Sequence, residues 1–159
     1  MPTFQRATVV DAALEDVWAF HSSIDGLRAL TPAWSGLEIV SIVGPDGAQA
    51  TETLVEGTDI EMRVRPASAL PGPGWTSRIT ERDRGDDVAV FRDTMFDGPF
   101  ETWEHTHRFH RSDGQTVVVD SLEYELPAHL RALTPAVHAG LVALFEYRHR
   151  RTRTLLERD

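Results

Sequence analysis

The sequence predicts an α+β domain: a curved antiparallel sheet of about six to seven strands wrapped on one long C-terminal helix, with two short helices after the first strand. Three observations carry this. Alternating, β-branched runs joined by short turns fill the middle of the chain, and consecutive strands joined that way pair as antiparallel neighbours. An apolar stripe with helical period occupies the last quarter. The sheet has one apolar face, and the terminal helix is the one element long enough to cover it.

The elements follow in order. Residues 4–10 read as a short strand. Asp11 stands where an N-cap belongs, and Leu14, Val17, Trp18 and His21 follow at helical spacing, so a helix is expected over roughly 12–21. Asp25-Gly26 breaks it, and a second short helix over about 23–31 stops before Pro32. Strands are expected at 37–43, 51–56, 59–65, 75–82, 88–96, 100–111 and 116–126, with Gly57 as a candidate bulge. Gly44-Pro45-Asp46-Gly47 and residues 66–74 (PASALPGPG) read as loops inside one domain. Pro127 ends the sheet. The long helix starts near 130, or near Thr134 if Pro135 occupies its first turn, and runs to about 157. Leu133, Val137, Leu141, Leu144, Phe145 and Leu155 mark its apolar stripe.

Composition narrows the function. At 159 residues the chain is one domain's worth and long enough to bury a core without staples. With no cysteine, disulfides, zinc–thiolate sites and thiol nucleophiles are excluded. A net charge of −9 argues against nucleic acid or anionic membrane as the main partner. The first residues lack a basic segment followed by an apolar run, and no apolar stretch approaches the roughly 20 residues of a membrane span. A cytoplasmic location without an integral membrane segment is the expectation. All 16 basic residues are arginine and none is lysine, which fits either a GC-rich coding bias or a surface adapted to high salt. The run Arg148-His149-Arg150-Arg151-Thr152-Arg153 falls at a helix C-terminus, where cations are favoured, and reads as a solvated face. Trp18, Trp34, Trp75 and Trp103 read as core or cavity lining. No glycine-rich phosphate loop or nucleophile elbow is present, and no cofactor is expected. Oligomeric state leaves no signal in the sequence.

A curved sheet that touches a helix along one line leaves space beside that line, the usual place for a small ligand. Residues two apart on a strand share a face, so Trp103, His105, His107 and Phe109 point together, toward that space. If Ser112 to Gln115 is a four-residue loop, Trp103 lies opposite Tyr124, His105 opposite Leu122, His107 opposite Asp120 and Phe109 opposite Val118. If Phe96 pairs with Phe100, Asp93 lies opposite Trp103 and diagonal to His105, with Phe91 opposite His105. Two His–Asp pairs in an apolar pocket could supply general acid–base groups; equally, they could be buried polar residues that satisfy one another. His105-x-His107 offers two ligands from one strand, with Asp120 or Asp93 as a third, but no zinc-binding spacing such as HExxH accompanies them, and no metal is expected. Arg78 alternates away from Trp75 and Ile79; it either holds a ligand carboxylate or pairs on the sheet surface.

Several segments together resemble one superfamily. They are Ala12 to Phe20 (AALEDVWAF), Leu30-Thr31-Pro32, Trp75 to Ile79 (WTSRI), Phe91-Arg92-Asp93, Gly98-Pro99-Phe100, Trp103 to Phe109 (WEHTHRF), Asp120 to Pro127 (DSLEYELP) and Phe145 to Arg153 (FEYRHRRTR). The chain resembles the SRPBCC, or START-like, superfamily, the helix-grip fold of the birch-pollen allergen, lipid-transfer START domains and polyketide cyclase/dehydrase proteins. The resemblance implies a hydrophobic internal cavity and a small hydrophobic ligand: a lipid, isoprenoid or polycyclic compound. It leaves open whether any reaction occurs; the alternative is a cyclase or dehydratase acting on a polyketide-like substrate. The residues expected to meet a ligand are Phe91, Met95, Trp103, Phe109, Leu122, Tyr124, Arg78, Leu141 and Phe145. The candidates for catalysis are His105, His107, Asp93 and Asp120.

Overall fold

The computed structural model describes residues 1–50, 52–65 and 72–158. Seven strands, β1 (Thr3–Val10), β2 (Leu37–Val43), β3 (Asp59–Val64), β4 (Gly74–Arg84), β5 (Val88–Phe96), β6 (Thr102–Ser112) and β7 (Gln115–Glu125), form one antiparallel sheet. Its order is β1-β7-β6-β5-β4-β3-β2. Helices α1 (Leu14–His21) and α2 (Ile24–Ala29) follow β1, and a 3-10 turn at Ala128–Leu133 leads into α3 (Thr134–Leu156). This is the helix-grip arrangement, with α3 held against the concave face.

Local sequence explains the curvature. Register slips between Ile39 and Ser41 and between Ile79 and Glu81, and such bulges bend a strand and increase its twist. β6 and β7 are joined by Asp113-Gly114, both at positive φ (49° and 79°), the geometry of a two-residue hairpin turn. That turn sets the β6–β7 register, and every pair expected there is present: Trp103–Tyr124, His105–Leu122, His107–Asp120 and Phe109–Val118.

The buried apolar residues fall into two clusters. One joins α1 and α2 to the sheet through Leu14, Val17, Trp18, Ile79, Phe91 and Phe109. The other lies under α3 and holds Phe4, Leu122, Tyr124, Leu141 and Phe145. Each fully buried side chain of this size stabilises by about 1.5–3 kcal/mol. The helical segment 128–156 is apolar enough over part of its length to pass as a membrane span, by length and composition only. Its buried positions, Leu141, Phe145, His149 and Thr152, face the rest of the fold.

Several expectations are corrected. Asp11 does not cap α1: the N-cap is Ala13, without a side-chain bond, and Asp11 instead accepts from Arg158 at 3.0 Å. α2 is shorter than expected and is capped by Ser23, whose Oγ accepts from Gly26 N at 2.9 Å. Gly26 is required there, because a Cβ would sit 1.7 Å from the Phe20 carbonyl oxygen. The strand expected at 51–56 does not form among its described residues, 52–56. That segment bonds instead to the α1–α2 junction, with Ile24 N donating to Glu52 O and Leu54 N to Ser22 O. Gly57 (φ 88°) lies in the turn before β3 rather than in a bulge. Of the loop read at 66–74, residues 66–71 lie outside the described residues. On α3, Leu133 and Leu155 are exposed at 52% and 41%, while His149 and Thr152 are buried, because the inward face runs 141, 145, 149, 152. Trp34 is exposed at 64%, against the edge of Tyr147, and is not core.

Candidate functional site

A cavity of about 240 Å³ lies between the concave face of the sheet and α3, bounded at one end by α2. Apolar side chains from β3 to β6, α2 and α3 form most of its wall. Among the expected ligand contacts, Phe91, Met95, Trp103, Leu141 and Phe145 line it. Four expected contacts do not. Phe109 is buried behind the wall, edge-on to Trp18 with ring centres 5.8 Å apart. Leu122 and Tyr124 are buried beneath α3, where the Tyr124 hydroxyl bonds His138 Nδ1 at 3.0 Å. Arg78 lies on the opposite face of the sheet. Its guanidinium holds both Asp59 oxygens, at 2.7 and 2.8 Å, and stacks on Phe96, because Trp75, Ser77 and Ile79 take the inward positions of the strand.

The polar part of the wall is concentrated at one place. Asp93 on β5 is directly opposite His105 on β6, with Phe91 opposite His107. This register differs by two residues from the expected one: residues 97–101 form a longer connection than a tight turn, and the last ladder pair is Thr94–Glu104. A shift of two preserves the face, so Asp93 points inward as expected and lies closer to the histidines.

Asp120 is the hub. Its Oδ1 accepts from His105 Nε2 at 2.7 Å, and its Oδ2 is bonded by His149 Nε2 from α3. His107 Nδ1 also sits 2.7 Å from Oδ1, off the line that a hydrogen bond needs, so this is a close contact without a hydrogen bond. On the cavity side, Asp93 Oδ2 is 3.3 Å from His105 Nδ1 and 4.0 Å from His107 Nε2, and Asp93 Oδ1 accepts from Ser77 at 3.0 Å. Asp93, His105 and His107 thus each bring one metal-ligating atom within 4.8 Å of the others.

Burial and pairing set the charges. Burial alone would lower His105, but its bonds to Asp120 and Asp93 reverse this and push it from the usual 6.5 up to about 9. His107 is lowered, by burial and then by the charge of its neighbour His105. His21, buried on α1 beside His107, falls to about 3, chiefly by burial. For Asp120, burial is outweighed by His107, His105 and His149, which hold it well below the usual carboxylate range. Asp93 is also lowered: burial opposes this, and the hydrogen bond and charge of His105 overcome it. Arg148 lines the cavity half-buried, donates to Leu30 O at 3.4 Å, and is lowered by burial against the pull of Asp120 and Asp93.

Sequence reasoning does not single out His21, Ser77, Arg148 or His149 for the site. It places His21 on the inward stripe of α1 without a role. It groups Arg148 and His149 with the exposed tail, although the four-residue step from Leu141 through Phe145 to His149 puts the last on the buried face.

A family profile described as "Polyketide cyclase / dehydrase and lipid transport" matches residues 10–144. The chain belongs to this family. The fold is shared with solved structures of low sequence identity. TTHA0849 from Thermus thermophilus is 21% identical with a TM-score of 0.62, over 97% of this chain and 99% of that one. A truncated norcoclaurine synthase from Thalictrum flavum is 18% identical with a TM-score of 0.64, over 99% and 95%. Protein Ms6760 from Mycobacterium smegmatis is 15% identical with a TM-score of 0.66, over 99% and 91%. No curated protein sequence matches the chain. The family supports a ligand-binding domain.

Proposed function

We propose that this protein binds one small, largely apolar molecule, such as a lipid, isoprenoid or polycyclic compound, in the cavity between the sheet and α3. The observation that carries this is the asymmetry of the wall: apolar side chains over most of it, with Asp93, His105 and His107 gathered at one place. Apolar walls supply affinity, and a few placed polar groups orient the ligand. Native mass spectrometry of the purified protein and displacement of a fluorescent apolar probe test it. One equivalent of retained or displaceable ligand is expected, with at least a tenfold loss for Met95→Trp, which fills the cavity. A protein that retains nothing, and whose probe binding ignores Met95→Trp, overturns the proposal.

A second reading has its own support. His105 and His107 stand side by side, ring centres 3.8 Å apart, with a carboxylate behind both. That arrangement suits general acid–base catalysis of a cyclisation or dehydration. Turnover of a poly-β-keto mimic that is lost in His107→Gln supports it; binding without turnover leaves the protein a carrier.

A further inference from the structure

We propose that His105, His107 and Asp93 form a binding site for a borderline divalent metal ion, of the zinc or cobalt type, with its remaining coordination position open to the cavity.

The argument starts from atom positions. A tetrahedral ion with bonds of about 2.0–2.1 Å holds its ligand atoms about 3.3–3.4 Å apart. Asp93 Oδ2 lies 3.3 Å from His105 Nδ1 and 4.0 Å from His107 Nε2, and the three residues bring their ligand atoms within 4.8 Å of one another, so side-chain adjustment alone can close the triangle. The backbone need not move. Asp93 and His105 are a ladder pair, and His107 lies two residues along the same strand and face.

A hydrogen-bond account of the cluster leaves something over. At 4.0 Å, His107 Nε2 is beyond hydrogen-bond reach of Asp93, yet it approaches the same Asp93 oxygen as His105 Nδ1 does. The remote nitrogens of the two rings, His105 Nε2 and His107 Nδ1, both contact Asp120 Oδ1 at 2.7 Å. Metal-bound histidines characteristically give their other nitrogen to a carboxylate, which fixes the ring and its tautomer. Here one buried carboxylate accepts from His105 and lies against His107, and His149 also bonds it. The placement matches too: Asp93, His105 and His107 line the cavity, and Asp120 does not.

Loading is a replacement. The proton between His105 Nδ1 and Asp93 leaves to solvent, and the ion takes its place between the same two atoms, adding His107 Nε2 as third ligand. Two imidazoles and one carboxylate favour zinc, cobalt, iron or nickel over magnesium or calcium, which prefer all-oxygen shells. Three protein ligands with an open position is the composition of catalytic rather than structural sites. In the cavity, that position suits an oxygen on the bound molecule.

The experiment uses untagged full-length protein, stripped of metal by chelator and of bound organic matter by denaturing extraction and refolding. Cobalt(II) is titrated in by calorimetry and visible spectroscopy, with zinc(II) as competitor. One equivalent should bind, with the intense visible bands of a low-coordinate cobalt ion, and zinc should displace it. Asp93→Asn and His107→Gln should each abolish those bands, with folding checked by circular dichroism. Asp120→Asn should weaken binding about 10–100-fold while keeping one equivalent. Should a ligand variant fail to fold, the other carries the test. Binding weaker than millimolar in the wild type, or bands unchanged in folded Asp93→Asn or His107→Gln, overturns the proposal. No organic ligand enters the titration, so its failure is separate from failure of the cavity reading.

Discussion

The two faces of β4–β6 both carry charge, on different terms. On the convex face Arg78 chelates Asp59, and Arg92 reaches Glu81 at 3.1 Å and Glu104 at 3.7 Å, with side chains a third to a half exposed. On the concave face His105 is held between Asp93 and Asp120, with no side chain of the three more than 13% exposed. Water screens the outer pairs, so each contributes little. The inner groups have lost their hydration and depend on each other, so removing one leaves a buried charge unanswered, at about 3–5 kcal/mol. Equal-looking distances therefore carry different energies, and burial decides which.

Asp120→Ala is the strongest way to break this contrast. It strands His105, His107 and His149 together and should cost about 3–5 kcal/mol in urea unfolding; a loss below about 1 kcal/mol would place the inner network with the outer pairs. Leu141→Ala, which removes apolar contact beside the cavity, should cost about 2 kcal/mol, at the low end for such a change because the site already borders open space.

Proton linkage sharpens the comparison in the metal-free protein. His105 is raised from 6.5 to about 9, so its contribution is full below about pH 6.5 and is lost as pH rises through about 9. His21 is lowered to about 3, so its neutral, buried form costs stability progressively as pH falls from about 6.5 toward 3. Chemical unfolding across pH should show both limbs; His105→Gln should flatten the alkaline one and spare the acid one. The smallest effect belongs to the convex face. Arg78→Ala should shift the unfolding midpoint least of these variants, an effect that fades in molar salt, and leave ligand binding unchanged.

How much of this is legible in the sequence depends on which physical rule governs each segment. The β6–β7 pairing is readable because Asp113-Gly114 is a turn of defined length, which fixes register across the whole hairpin. The β5–β6 pairing is readable only to the face, because residues 97–101 are not a standard turn and alternation cannot distinguish a shift of two. Alternation at 51–56 has the right pattern and the wrong partner, since those backbone groups bond the α1–α2 junction. His149 is hidden by its neighbours: Arg150, Arg151 and Arg153 are exposed, and composition alone does not separate the two sides of a helix turn. The convergence of Asp93, His105 and His107 needs all three side-chain directions at once, which only the folded sheet supplies.

The bond between Asp120 and His149 has a mechanical consequence. It fastens α3 to β7 near the C-terminal end of the helix, and the buried residues of α3 begin only at Leu141. The first two turns, 134–140, bury no residue fully. The helix is therefore anchored more deeply toward its C-terminal end, with the histidine–carboxylate bond as its fulcrum, while the N-terminal arm is held by half-buried Val137 and by the bond between His138 and Tyr124. Amide hydrogens at 134–140 should therefore exchange well before those at 145–152, and cutting the fulcrum with His149→Ala should narrow that difference.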